Sequence, residues 1–244
     1  MDIFYPVLLS LLAGMATALG ALIVFVFKPT KKFISISIGF AGGVMITIAL
    51  TGLLTEAMKL SFLSAIVGFA GGSLFMLFAD TLVPHMKFSI FEKGAVNKRM
   101  FKTAMLIALG IAIHNMPEGF AVSAGYNYLP AFGIFIAITL ALHNIPEGIA
   151  VALPLVASKC CRRRAFMITL FSGLAEPVGA LIGILLLSMA GGLVPLGLAF
   201  AAGVMTYLTV DEIMPMAQKY GHPHRIGIGF IAGCIVSMLV STIA

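Results

Sequence analysis

The stretch AFGIFIAITLALHNIPEGIAVALPLV, at residues 131–156, contains one charged residue, Glu147. A helix needs roughly 20 consecutive apolar residues to cross the hydrocarbon core of a bilayer. The stretch is longer than that, and its apolar residues continue on both sides of the single acid. It therefore predicts a membrane-spanning helix with a carboxylate inside the membrane.

Seven further apolar stretches flank this one and are bounded by charged residues or by loops rich in Pro, Gly and Asn. With it, the predicted spans are about 3–27, 33–55, 60–83, 102–124, 131–156, 165–188, 193–215 and 226–243. Only 10% of the 244 residues are charged, whereas charged residues make up about a quarter of a typical soluble domain. The sequence predicts an all-α integral membrane protein, a single domain over 1–244 with eight transmembrane helices.

The basic residues predict the orientation of these helices. Fourteen of the 15 Lys and Arg residues fall in the loops after spans 1, 3, 5 and 7, and Lys59 alone falls on the other side. Cytoplasmic loops of membrane proteins carry the excess of Lys and Arg. Both termini are therefore expected outside. Because this distribution is explained by loop residues that set the orientation of a membrane protein, the net charge of +6 does not indicate a nucleic-acid partner.

Short repeats relate the two ends of the chain. GFAGGVM at 39–45 resembles AFAAGVM at 199–205, and GFAGG at 68–72 resembles GFIAG at 229–233. Spans 2 and 7 run in opposite directions through the membrane, so the copies have opposite orientation, as in an inverted-topology repeat. We expect a 3+2+3 arrangement in which spans 1–3 and 6–8 are related halves around spans 4 and 5.

A hexapeptide occurs twice, as HNMPEG at 114–119 and HNIPEG at 143–148. In each copy the His and the Glu are four residues apart, so both side chains project from one face of the helix. Together with Glu176 in span 6, the two glutamates of these motifs lie deep in the membrane. An acid at that depth costs roughly 2.5–3.5 kcal/mol and is a candidate functional residue.

Two His, two Asn and three Glu residues without a nearby Lys or Arg predict a cation site. They are His114, Asn115, Glu118, His143, Asn144, Glu147 and Glu176. Mixed imidazole and carboxylate ligands suit divalent Zn, Fe, Mn or Co. A single buried His in a proline-containing helix is equally compatible with a packed structural residue, but two copies in adjacent helices favour the metal site.

Three further acids approach the inside face. Asp80 ends span 3, and Asp211 and Glu212 lie near the end of span 7. We interpret these three residues as an exit path for cations toward the cytosol, with ordinary interfacial residues as the alternative.

The paired HNxPEG motifs, SGLAEPVGA at 172–180 and eight helices with both ends outside resemble the ZIP (Zrt/Irt-like) family of divalent metal transporters. The resemblance covers nearly the whole chain and is closest to the bacterial zinc-uptake permeases. It implies a multi-pass protein of the bacterial inner membrane whose transported substrate is Zn²⁺ or a related divalent cation, with no organic cofactor.

The resemblance also implies a binuclear centre. One metal would be held by His114, Glu118, His143 and Glu147. The second would be held by Asn115, Asn144 and Glu176, together with the shared carboxylates Glu118 and Glu147.

Two other classes of function remain open at this stage. One is an intramembrane metalloenzyme with Glu118 or Glu147 as general base, although the chain has no HExxH or GxSxG motif. The other is a metal sensor that transports nothing. The sequence leaves open whether the chain forms a homodimer.

Overall fold

The computed structural model describes residues 3–82, 98–189 and 191–242, and every regular element in these ranges is helical. Eight of the helices are long and apolar enough to cross a membrane, which confirms the predicted all-α fold and number of spans. They are α1 (Phe4–Val26), α2 (Lys31–Leu60), α3 (Phe62–Leu82), α4 (Lys98–Tyr128), α5 (Pro130–Ala157), α6 (Arg162–Ser188), α7 (Val194–Gln218) and α8 (Pro223–Ser241). The loop residues Lys87 and Lys93, which contribute to the predicted orientation, lie outside the described residues.

The largest difference from the predicted spans is at the end of α2, which continues to Leu60 rather than ending near 55. The helix carries Glu56 and Lys59 in its last turns, and the ammonium group of Lys59 lies 2.7 Å from Glu56 Oε1. A charged pair three residues apart supports a helix, so the charges that predicted a boundary instead form part of the last turns.

Glycines bring particular helices into backbone contact. A Cβ on Gly148 of α5 would overlap the carbonyl oxygen of Thr17 in α1, and one on Gly119 of α4 would overlap that of Glu176 in α6. Such contacts link α1, α4, α5 and α6, which we call bundle A. They also pair α2 with α8 and α3 with α7, and these four helices form bundle B, in which Gly42 of α2 packs on Met214 of α7. Small residues allow close helix packing in lipid, where hydrophobic burial does not drive association.

The two pairs of bundle B make equivalent contacts. In both pairs, a Cβ added to a glycine would overlap a carbonyl oxygen of the partner helix. The residues that make equivalent contacts in the two pairs are 160 or 161 positions apart in the sequence. The contacts are Gly68 on Leu196 with Gly229 on Ile36, Gly72 on Phe200 with Gly233 on Phe40, and Gly203 on Phe69 with Gly43 on Phe230. These offsets are those of the sequence repeats.

A π-helical segment occurs in both α2 and α7, at Ile48–Leu54 and Thr209–Ile213. Adding the offset of 160 to the first range gives 208–214, so the two segments also correspond. The shared irregularity and the equivalent contacts favour the inverted repeat, and the 3+2+3 arrangement with both termini outside stays a prediction.

Candidate metal centre

The two hexapeptides lie in the middle of α4 and α5, and both helices continue through Pro117 and Pro146. The third helix of the centre, α6, is interrupted at Leu174 and resumes at Ala175, which puts Glu176 in the first turn of its second segment. The first turn of a helix is a favourable place for a carboxylate. The close contact of Gly119 with the Glu176 backbone then holds this carboxylate beside the motif of α4.

Three side chains converge in the space between α4 and α5. Each of Glu118, His143 and Glu147 offers a ligand atom that lies within 4.8 Å of the other two. His143 Nε2 lies 3.0 Å from Glu147 Oε1 and 3.4 Å from Glu118 Oε1. Ligands at 2.0–2.2 Å around a tetrahedral zinc are about 3.4 Å apart, so these spacings suit one divalent metal. All three residues are buried.

A backbone carbonyl fixes the tautomer of His143. Its Nδ1 lies 3.2 Å from the carbonyl oxygen of Ala41 in α2. Because a carbonyl only accepts, we assign the proton to Nδ1, which leaves a lone pair on Nε2 facing the two carboxylates. Metal-binding histidines generally donate their other N–H to a carbonyl or carboxylate in this way. His143 is therefore oriented as a metal ligand.

The two asparagines and Glu176 form a second group next to the first. Asn115 Nδ2 donates to the carbonyl oxygen of Ser172 in α6 at 3.0 Å. Asn144 Nδ2 donates to the carbonyl oxygen of Ala13 in α1 at 2.9 Å and also to Glu176 Oε1. Both amide nitrogens are thus occupied, and each amide is turned so that its oxygen is free.

The unpaired atoms of the two groups share one property. Among the residues that the structure describes, the centre contains seven buried side-chain atoms without a hydrogen-bond partner, and all seven carry lone pairs. They are Asn115 Oδ1, both carboxylate oxygens of Glu118, His143 Nε2, Asn144 Oδ1, Glu147 Oε2 and Glu176 Oε2. Buried polar groups without partners are costly, and a bound cation would satisfy all of these acceptors.

His114 lies beside this cluster and bonds elsewhere. Its Nε2 is 2.9 Å from Oε1 of Glu212 in α7. A cavity of about 20 Å³ is lined by His114, Glu147 and Glu212. Such a volume holds about one water-sized species, so an ion entering it would have lost most of its hydration shell.

The three predicted exit residues differ in their surroundings. Glu212 touches the cavity of the centre, Asp80 is half-buried and lies close to Glu212, and Asp211 is exposed. Asp211 and Glu212 lie in the π-helical segment of α7. Since a π turn inserts one extra residue, it changes the direction of the residues that follow, and such turns are frequent at functional sites.

Two parts of the centre had no signal in the sequence. The Ala41 carbonyl that orients His143 belongs to an ordinary apolar helix, and the partner of His114 is 98 residues away along the chain. The sequence placed Glu212 on an exit path and His114 in the first metal site, without indicating that the two residues meet.

Comparisons with known proteins show the family to which the chain belongs. A family described as "ZIP Zinc transporter" matches residues 90–241, which include both hexapeptides and Glu176. The chain belongs to the ZIP family. The family's match begins before α4 and ends with α8, so it contains all six residues that supply the unpaired acceptors.

Relatives of known name extend the similarity to nearly the whole chain. A protein of Chlorobaculum parvum named "Zinc transporter ZupT" is 36% identical over 98% of this chain and 97% of its own length. Proteins of the same name from Corynebacterium aurimucosum and Corynebacterium glutamicum are 39% and 42% identical, with 93% of this chain covered in each case. The chain is therefore a bacterial type of ZIP transporter throughout its length.

Proposed function

We propose that this protein transports Zn²⁺, and related divalent cations such as Fe²⁺, Mn²⁺, Co²⁺ and Cd²⁺, across the bacterial inner membrane into the cytosol. The observation that carries the proposal is the cluster of seven unpaired buried acceptors in the middle of the membrane-spanning bundle. Family membership and relatives named as zinc transporters support it. Neither Lys nor Arg lies in the two hexapeptides, so a cation is the natural partner of their carboxylates.

The first metal is held by Glu118, His143 and Glu147, and His114 joins them when it leaves Glu212. The second is held by Asn115, Asn144 and Glu176, with Glu118 and Glu147 shared. His114 belongs to bundle A and Glu212 to bundle B, so their contact depends on the relative position of the two bundles. When His114 bonds with Glu212, the first metal has one ligand fewer, which favours release toward the inside.

The path inward then passes Glu212 and Asp80. The small cavity between the metal centre and Glu212 provides the first step of that path. Asp80 lies close to Glu212, and Asp211 offers an exposed carboxylate at the end of the path. This direction assumes the orientation predicted from the basic loops, with both termini outside.

Alternating access follows from the same construction. Bundle A carries all residues of the metal centre, and bundle B contacts it mainly through side chains. We infer that the centre moves with bundle A relative to bundle B, so that it faces first the outside and then the cytosol. The protein acts as a transporter and not as an enzyme.

The test is uptake of radioactive Zn²⁺ into proteoliposomes, combined with Zn²⁺ binding in detergent. In the Glu147→Gln and His143→Gln variants we expect flux to fall at least tenfold, because each removes a ligand from the first metal. The matched control is His224→Gln, which removes an exposed imidazole in the first turn of α8, outside the centre. Its Kd for Zn²⁺ should equal that of the unmodified chain.

A melting temperature measured without and with Zn²⁺ separates loss of the site from loss of the fold. Binding to the native state stabilises a protein by RT ln(1 + [L]/Kd), so Zn²⁺ should raise the Tm of the unmodified chain and of His224→Gln more than that of either centre variant. Unchanged flux in both centre variants contradicts the site. Binding without flux in the unmodified chain supports the sensor, and competition among Zn²⁺, Fe²⁺, Mn²⁺ and Cd²⁺ establishes selectivity.

A further inference from the structure

A second and much larger cavity lies on the boundary between the two bundles. Its volume is about 380 Å³, and all of the described residues that line it are apolar. Met116, Pro117 and Phe120 of α4 form one wall, and Leu186 of α6 and Phe200 of α7 belong to the others. Nothing in the proposed transport path uses this cavity.

The cavity exists because α6 and α7 do not pack closely. In bundle A, Gly179 of α6 is in backbone contact with Met116, and in bundle B, Gly72 of α3 is in backbone contact with Phe200. Between the bundles, Gly197 of α7 meets only side chains, with the Phe120 ring 3.1 Å from where its Cβ would be. At this part of the boundary, the close contact of Gly197 with the Phe120 ring therefore lies beside an open space.

The cavity opens sideways toward the membrane. Three residues of its lining, Phe75, Ile182 and Leu186, expose 48%, 39% and 47% of their surface. All three lie in membrane-spanning helices, so the medium at this opening is lipid. Water does not fill apolar cavities of this kind, and a polar ligand would find no side-chain partner there.

The dimensions of the cavity suit a lipid tail. Along α6 its lining extends from Gly179 to Leu187, and on the other side from Leu193, just before α7, to Phe200 of α7. With a rise of about 1.5 Å per residue, the first range is about 12 Å long. One leaflet of a hydrocarbon core about 30 Å thick is about 15 Å. The end near Leu187 and Leu193 faces outside in the predicted orientation.

We propose that one acyl chain of a phospholipid from the outer leaflet occupies this cavity and fills the gap between the bundles. The chain buries the apolar walls that α6 and α7 leave apart, and its headgroup stays at the membrane surface near the connection from α6 to α7. This binding does not depend on the identity of the transported metal. Because the walls belong to both bundles, the bound chain contacts both sides of the boundary.

The chain has no tryptophan, which allows a direct test with single-tryptophan variants and brominated phospholipids, which quench tryptophan fluorescence on contact. Phe120→Trp places the probe in the cavity. Leu185→Trp, at a position that is 63% exposed, reports ordinary lipid around the protein. Phe135→Trp, at a buried position of α5, reports the protein interior.

In bilayers we expect Phe120→Trp to be quenched about as strongly as Leu185→Trp, while Phe135→Trp is not quenched. After transfer into lipid-free detergent, Phe120→Trp should keep at least half of its quenching and Leu185→Trp should lose it, because only the cavity retains its lipid. Absence of quenching at Phe120→Trp in bilayers would overturn the proposal. Loss of the quenching of Phe120→Trp in detergent at the rate seen for Leu185→Trp would also overturn it.

Native mass spectrometry of the unmodified chain tests whether phospholipid binds when no larger tryptophan ring has been introduced into the cavity. We expect one phospholipid to stay bound through detergent exchange, and no retained phospholipid would contradict the proposal.

Discussion

Glycines distinguish the interior of each bundle from the boundary between them. Inside the bundles, glycines such as Gly148 and Gly203 bring backbones so close that a single added methyl group would overlap a carbonyl oxygen. Across the boundary, Gly52 of α2 meets only the rings of Phe132 and Phe135, with its Cβ position 3.7 Å away. Because packed interiors behave as rigid units, the boundary is the place where the molecule can divide into two bodies that move relative to each other.

Among the residues that the structure describes, hydrogen bonds between the two bundles are few, and each involves a side chain. Tyr128 donates to Glu56 Oε2 at 2.9 Å near the outer end, and His143 meets the Ala41 carbonyl in the middle. His114 meets Glu212 toward the inner end. Two of these three contacts use residues of the metal centre, which couples the centre to the position of bundle B.

The largest expected effect comes from replacing a glycine by alanine inside bundle A, compared with the same replacement at the boundary. In Gly148→Ala the new methyl group overlaps the Thr17 carbonyl, so α1 and α5 must separate. Overpacking usually costs about 1–3 kcal/mol, and here backbone rather than a side chain must move. We expect little folded protein and a strongly lowered Tm.

Gly52→Ala is the control, since its Cβ would be at ordinary van der Waals distance. Alanine also favours a helix over glycine by about 1 kcal/mol, so its Tm should be equal or slightly higher. Equal destabilisation of the two variants would show that the boundary is packed like the bundles.

Much of this architecture could be predicted from sequence because it depends on local patterns. Apolar stretches alone located the eight spans, and the spacing of His and Glu in HNMPEG and HNIPEG put each pair on one helix face. The GFAGG and GFIAG repeats marked helices that do pack closely, since small residues at four-residue spacing have that role in membranes.

Tertiary contacts account for what the sequence did not indicate. The His114–Glu212 contact, the Ala41 carbonyl and the cavity between α6 and α7 each depend on how distant helices pack. The π-helical segments were also missed, because neither Ile48–Leu54 nor Thr209–Ile213 contains a proline, and both read as ordinary parts of apolar spans.

A smaller effect is expected at the outer end of the boundary. Tyr128→Phe removes the hydroxyl that joins α4 to Glu56, and hydrogen bonds to charged groups contribute about 1.5–3 kcal/mol. Both residues are partly exposed, which reduces that value. If the outer ends of the two bundles separate when the metal centre faces outside, loss of the Tyr128–Glu56 hydrogen bond favours the outward-facing state. The apparent KM for outside Zn²⁺ should fall by roughly twofold to tenfold.

Tyr126→Phe is the matched control, because Tyr126 stacks on Tyr5 of α1 inside bundle A, with ring centroids 6.4 Å apart. Its KM should match that of the unmodified chain in the same uptake assay. A KM that stays constant in Tyr128→Phe would mean that the hydrogen bond does not oppose outward opening.

The smallest effect of Zn²⁺ is expected at two adjacent cysteines at one end of bundle A. Cys161 is exposed, whereas Cys160 packs in a buried cluster with Phe101 and Leu155. Burial raises the pKa of the Cys160 thiol, so less thiolate is present near neutral pH and alkylation is slower. In single-cysteine variants we expect Cys160 to react with a maleimide roughly tenfold more slowly than Cys161 at pH 7.

Raising the pH increases the thiolate fraction, so labelling of Cys160 should accelerate above pH 8. Adding Zn²⁺ tests whether the interior of bundle A and the boundary between the bundles respond differently. If bundle A moves as one body, its internal packing around Cys160 stays intact while the boundary changes. The labelling rate of Cys160 should then be the same with and without Zn²⁺. A rate that rises severalfold with Zn²⁺ would place a moving contact inside bundle A, and the division into two bodies would have to be redrawn.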